Sequence, residues 1–298
     1  EYVDEINMAH GGEGTKMYST AGTSLKKVCI QNRLKLLDAS VRHLGTDINL
    51  VVLGQLYDEL KDQVDFYFEC IVSVGRSGSK WMEHICKELE IPTKSNRVDL
   101  GVRVELPAVL FSHLTDELYE SKIVYRTEKF EDNVRTFCMN PRGIVVNENT
   151  EPFKDSNGYG ESIARLSNML GGGVIVQRFG DLVRGRRSTQ KRIEENMFMP
   201  TLSATPGDLS LVLPKRILDG IIEMIYALDK IAPGTANDDT LLYGVEVKFY
   251  NMEVDVDENL ESRHKGLYII GDGSGVTHSL SHASASGVYV ARKIAETL

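Results

Sequence analysis

Gly271-Asp272-Gly273-Ser274-Gly275 is the stretch whose residue types are best suited to chemistry. Glycines at alternate positions let a backbone turn tightly and approach a ligand with no Cβ in the way. Asp272 is the one acid in the turn, a carboxylate able to accept hydrogen bonds from ligand hydroxyls. Val276 and Thr277 stand where a helix running almost to Leu298 is expected to begin. Such a helix start turns its unpaired N–H groups and positive dipole end back on the turn. Leu267 to Ile270 is a short apolar run bounded by glycines, the pattern of a strand covered on both faces. Strand, glycine turn and helix in this order make a nucleotide or phosphate cradle. A plain strand-to-helix connection satisfies the same pattern, and the glycines alone do not separate the two.

A second unit of this kind lies upstream. Cys70 to Val74 reads as a buried strand, Gly75-Arg76-Ser77-Gly78 as its turn, and Ser79 to Leu89 as the helix that follows. It is not a P-loop, because the glycine spacing is wrong and no Ser or Thr follows Lys80. Gly75 and Gly78 also fit a simple bend.

Other reactive side chains are scattered. His278 and His282 are four apart and would share a helix face, yet no third metal ligand is placed near them. His278 also qualifies as a general acid or base, and a hydrogen-bonded structural histidine fits equally. Cys29, Cys70, Cys86 and Cys138 have neither CxxC nor metal-type spacing and read as free thiols, with Cys138 in the most polar setting. Arg184, Arg186, Arg187, Lys191 and Arg192 form the main basic concentration. That stretch is a solvated loop or a clamp for a phosphate- or carboxylate-bearing ligand. Arg103 and Glu105 either face a site or pair on a strand surface; the orientation of His43 and Asp47 is open.

The elements that must hold these groups come from a chain of 298 residues, enough for one large or two modest domains. Its net charge of −9 disfavours nucleic acid and anionic membrane as partners. No apolar run approaches the roughly 20 residues that cross a bilayer. Scattered cysteines fit a reducing cytoplasm, and the expected localisation is cytoplasmic. Glu1 opens no signal-peptide pattern and no initiator methionine is present, so a fragment or trimmed chain is expected.

Asn49 to Lys61 carries Leu50, Leu53, Leu56, Tyr57 and Leu60 at the spacing of an amphipathic helix, and Val64 to Phe68 alternates as a strand. Val98 to Glu105, Ile123 to Arg126, Arg135 to Met139 and Gly143 to Val146 read as strands. Ser162 to Leu170 is a helix closed by three glycines, Val174 to Arg178 a strand, and Lys215 to Ile231 a helix opened by Pro214. Thr240 to Tyr250 and Glu253 to Val256 are strands whose apolar and polar residues alternate. The expected fold class is α/β. Residues 1–96 and 235–298 would make one discontinuous domain, and residues 97–234 an inserted α+β domain.

GLYIIGDGSGVTHSLSHASASGVYVAR resembles the C-terminal flavin-binding signature of a largely uncharacterised family of FAD-dependent (NAD/FAD-utilising) dehydrogenases, with a glutathione-reductase-like flavoprotein fold. IVSVGRSGSKWM resembles the strand end that lies against FAD in two-dinucleotide-fold flavoproteins, and GVRVELP, MNPRG, GDLVRGRRST and ATPGDLSL continue the likeness. The resemblance implies that 1–96 and 235–298 are a partial, Rossmann-like FAD-binding domain and 97–234 a substrate or cap domain. It implies cofactor contacts at Gly75, Arg76, Ser77, Gly78, Gly271, Asp272, Gly273, Gly275, Val276 and Thr277. It also implies an oxidoreductase passing hydride or electrons through FAD to or from an unknown small molecule, with no catalytic residue identified. The N-terminal GxGxxG unit of such proteins is absent, so FAD binding by this stretch alone is open, and direct NAD(P) binding has no support. Departures also occur at Phe68-Glu69-Cys70 and at Asn149-Thr150-Glu151, where the connections are shorter than the family's. The alternative function is a non-catalytic or RNA-associated binding module that uses Arg184 to Arg192. Nothing in the residues sets the oligomeric state.

Overall fold

A computed structural model describes residues 2–61, 70–75, 78–118, 120–140, 143–150 and 154–297. The fold is α/β. The chain starts with α1 (Tyr2–Asn7), a wider helical turn at Met8–Gly12, β1 (Met17–Ser19), α2 (Leu25–Gln31), β2 (Leu34–Leu36), β3 (Ser40–Arg42) and α3 (Gly45–Leu60). β4 (Cys70–Ser73), α4 (Ser79–Glu88) and β5 (Thr93–Lys94) come next among the described residues. Then follow β6 (Val98–Glu105), α5 (Ser112–Leu118), β7 (Ile123–Arg126), β8 (Asn133–Asn140), β9 (Gly143–Thr150) and α6 (Ser156–Gly171). β10 (Ile175–Arg178), α7 (Phe179–Val183), α8 (Gln190–Glu194), β11 (Thr205–Pro206) and α9 (Lys215–Asp229) lead to β12 (Leu241–Phe249) and β13 (Glu253–Val254). β14 (Leu267–Ile270) and α10 (Leu280–Thr297) complete the order.

Eight strands form one mixed sheet in the order β11-β10-β12-β6-β9-β8-β7-β2. Alternation in β6 decides its two faces. Val98, Leu100, Val102 and Val104 point to one side and are almost fully buried, in a core shared with Ile217, Leu218, Ile221, Met224, Ile225 and Leu228 of α9. Those α9 positions recur every three or four residues, which is why the helix lies along the sheet. Full burial of each such side chain contributes roughly 1.5–3 kcal/mol. Pro214 precedes the helix with its φ of −53° already suited to a helix start. Asp155 caps α6 by accepting the Gly158 N–H at 2.8 Å, and Gly172 ends it in the left-handed region at φ +67°.

Among the described residues, six strands stand apart from that sheet as three pairs, β1 with β3, β5 with β13 and β4 with β14. β4 and β14 pair in parallel, Leu267 opposite Cys70 through Ile270 opposite Ser73. On one side Val72, Val74 and Ile269 pack with Met82 and Cys86 of α4; on the other Ile71, Tyr268 and Ile270 pack with Val290 and Ile294 of α10. Helices on both faces explain why Leu267 to Ile270 is a continuous apolar run.

Several expectations shift. The strand at 241–249, assigned from sequence to the outer domain, pairs with β10 and β6 inside the eight-stranded sheet, and β2 sits at that sheet's edge. By strand pairing, the chain leaves the large sheet after Phe249, not near residue 234. α6 starts at Ser156, six residues before the predicted start, because Asp155 supplies the cap. α3 exists, but its predicted apolar face points outward: Leu50, Leu53, Tyr57 and Leu60 are exposed, and Val52 is the buried residue. The strand expected at Val64 to Phe68 lies outside the described residues.

Candidate functional site

Because β4 and β14 are parallel and in register, both of their turns emerge at the same, carboxyl end of the pair. Val74 N–H donates to the Ile270 carbonyl at 3.4 Å, and Gly273 N–H donates to the Val74 carbonyl at 2.5 Å, so the two turns are tied together. The glycines serve this contact. A Cβ on Gly273 would sit 2.5 Å from the Val74 carbonyl oxygen and 2.6 Å from that of Gly75. One on Gly275, at φ +71°, would sit 2.3 Å from the Met252 carbonyl oxygen. Gly271, at φ +84°, packs against Val74 in the same way. Only glycine fits where backbone meets backbone this closely.

This geometry corrects the expected cradle. Asp272–Ser274 is a short 3-10 turn, and α10 begins at Leu280, so Val276 and Thr277 are not its first residues. The Ser279 hydroxyl accepts the His282 N–H at 3.3 Å and starts the helix there. Gly273, Ser274, Gly275 and Val276 all donate their N–H groups within the protein. The turn therefore offers no row of free N–H groups to a phosphate. What it presents is side chain: Asp272 is partly exposed, accepts the Thr277 hydroxyl at 2.8 Å, and has its carbonyl held by the Asn251 amide at 2.7 Å. Gly75 is exposed with open space around its Cα, and Gly78 packs against the Val74 side chain. Arg76 and Ser77 lie outside the described residues. His278 precedes α10, so it shares no helix face with His282. Among the described residues, no group of three or more His, Cys, Asp or Glu could hold a metal ion.

A cleft of about 1260 Å³ is lined by the residues that follow the two turns, Ser79 and His278, and not by Gly75, Gly78 or residues 271–277 themselves. Ser79 and Lys80 at the start of α4, together with His278 and Ser279, form its edge on the parallel-pair side. Asp155, Gly158 and Glu161 of the α6 start and the second face of the large sheet form the rest. That face carries Phe137, Val145, Asn147, Glu246 and Lys248, with the exposed Cys138 at a β8 irregularity, φ +27°. Asp99, fully buried, accepts the Arg135 guanidinium at 2.7 Å and the Tyr250 hydroxyl at 2.8 Å; Arg135 also donates to Tyr250 at 2.7 Å. Burial first, and Asp99 second, push the Tyr250 hydroxyl up to about 12. The His278 ring meets the Tyr250 ring edge-on with centroids 5.3 Å apart. A polar network is thus buried beside the cleft, where an apolar face would pack more cheaply.

The remaining predicted groups fall elsewhere. Burial raises the Cys29 thiol to about 11 and also raises Cys86, as expected for structural thiols. Arg103 pairs with Glu246 at 2.7 Å, and Glu105 accepts the Tyr243 and Thr201 hydroxyls. The basic stretch is largely neutralised from within: Arg184 donates to Asp238 and Arg186 to the fully buried Asp181, each at 2.7 Å. Arg192 donates to the Arg187 carbonyl at 2.9 Å. Sequence reasoning missed Asp99, Arg135, Asn147, Lys248 and Tyr250. The alternation of β6 carried the signal, since Asp99, Gly101, Arg103 and Glu105 all fall on one face.

Among the described residues, no helix is long and apolar enough to cross a membrane. No protein-family model matches the chain. The chain is similar to an uncharacterized protein of Clostridium beijerinckii, 25% identical over 354 aligned residues that take in 99% of this chain. The chain spans 65% of that protein's length.

Proposed function

We propose that the chain forms part of an FAD-dependent oxidoreductase, with the cofactor at the joined turns and the substrate in the cleft. One observation carries the reading. Two parallel strands, covered by helices on both faces, end together in glycine turns, and the residues just after those turns, Ser79 and His278, line a large cleft. In open α/β sheets, ligands bind outside the carboxyl ends of the strands.

The residues fit one portion of FAD better than another. Asp272, with Thr277 beside it, suits a hydroxyl-bearing chain such as the ribityl portion, and Gly75 leaves space for close approach. The N–H groups of residues 273–276 are used internally, so they form no cradle for the diphosphate. A bound flavin would supply the hydride or electron transfer. The chain's own residues would orient the ligand through Asp272 and present the polar sheet face to the substrate. The RNA-associated alternative draws little from the Arg184 to Arg192 stretch, whose charges are mostly paired with its own acids.

Reconstitution tests the reading. The purified chain is incubated with FAD, gel-filtered and scanned for the flavin's visible absorbance. Co-eluting flavin that is lost in Asp272→Ala is the expected result. A colourless protein after reconstitution, or retention unchanged in Asp272→Ala, overturns the assignment.

A further inference from the structure

The cleft carries unfinished hydrogen bonding. Asn147 of β9 lines it, is almost fully buried, and its Oδ1 has no donor among the described residues. A Cβ on Gly101 of β6 would sit 2.2 Å from that oxygen, so the glycine is what lets the amide lie there. Arg135 stands opposite Asn147 in the β8–β9 register, on the same face of the sheet. Its Nη2 donates to Asp99 and Tyr250, while its buried Nε has no acceptor among the described residues. Asn157, in the first turn of α6, lines the same cleft with a second buried Oδ1 that lacks a donor. Buried polar atoms without partners are uncommon, and each marks a place where a bound molecule or water completes the bonding.

The orphaned atoms specify the ligand's chemistry. Two amide oxygens need donors, which an oxyanion does not have. The Arg135 Nε–H across from one of them needs an acceptor. A hydroxyl supplies both. The cleft also attracts neither sign of charge, because its described lining holds four lysines and four carboxylates. Some of these pair directly, as Glu161 does with Lys80 at 3.2 Å. We propose that the cleft binds a neutral polyhydroxyl substrate, a sugar or polyol. One hydroxyl donates to Asn147 Oδ1 and accepts from Arg135 Nε, and another donates to Asn157 Oδ1. The inference rests on reading the cleft as the substrate side and names the class of that substrate.

The chain is titrated by calorimetry with D-glucose and with ribitol, at fixed ionic strength. Glucuronate and glucosamine serve as the charged counterparts of glucose. Saturable binding of glucose or ribitol is expected, weakened about tenfold in N147A and in N157A and unchanged in R187Q. Circular dichroism reports folding, and N157A alone carries the test if N147A does not fold. Absence of saturable binding by both neutral probes overturns the proposal, as does binding that survives the asparagine changes or falls equally in R187Q. Tighter binding of glucuronate or glucosamine than of either neutral probe overturns it as well. The ribityl chain of FAD carries the same hydroxyl chemistry, so displacement of the bound probe by FAD assigns the site to the cofactor and refutes the substrate claim. A colourless protein that still binds a neutral probe refutes the flavin reading and leaves this site standing; a flavin-retaining protein that binds neither probe does the reverse.

Discussion

On one face of the eight-stranded sheet, Val98, Leu100, Val102 and Val104 lie under α9; on the other, Asp99, Arg103 and Glu105 of the same strand carry charge. The two faces differ by a single residue of phase. The apolar face follows ordinary burial, and its specificity is shape. The polar face buries Asp99 and Asn147 with little apolar return, which is costly unless every partner is present. The difference teaches that α9 covers the apolar face while the polar face borders the cleft.

The largest test of this contrast is Asp99→Ala. It strands the Arg135 guanidinium and the Tyr250 hydroxyl, and is expected to cost about 3–5 kcal/mol in urea unfolding. A cost near that of a surface change would break the comparison. Ile221→Ala, in the α9 core, should cost about 2–5 kcal/mol through cavity formation, read by urea unfolding.

Glu148 sharpens the contrast, because it is a carboxyl on the wrong face. It neighbours Gly220 of α9 at the apolar side, its Oε2 has no partner, and burial, helped by Asp132 and opposed by Arg216, raises it to about 7. Near the usual carboxylate value of 4.5 and below, it is protonated in both states and costs little. As pH rises from there towards 7, the unfolded chain ionises first, so stability falls across that window and stays low above it. Glu148→Gln should therefore leave acid stability nearly unchanged and raise stability above pH 7 by about 1–3 kcal/mol, read by thermal unfolding across the window. A pH-independent effect would sink this account. The smallest effect is reserved for Lys248→Gln, which should move stability by no more than about 0.5 kcal/mol in urea unfolding.

Much of the fold was legible in the residues. V-D-L-G-V-R-V-E alternates strictly enough to predict β6 and both of its faces. The i, i+3, i+4 spacing from Ile217 to Leu228 predicts α9, and the glycine-bounded run at Leu267 predicts a strand covered on both sides. The site was legible only in part. Gly271, Gly273 and Gly275 read as a ligand cradle, yet the atoms that crowd them belong to Val74, Gly75 and Met252. A requirement for close approach looks the same in sequence whether the approaching group is a ligand or the chain itself. The helix expected from Val276 starts instead after Ser279, whose hydroxyl accepts the His282 N–H.

Local sequence alone determined the elements, the glycine turns and the two-faced character of β6, because propensity, capping and side-chain period act within a few residues. Tertiary structure decided the rest. It brought residues 70–75 and 267–277 together at one end of a parallel pair, paired Arg184 with the distant Asp238, and gathered Lys122, Arg135 and Lys248 around Phe137. Such groupings depend on strand order and register, which no stretch of sequence contains by itself.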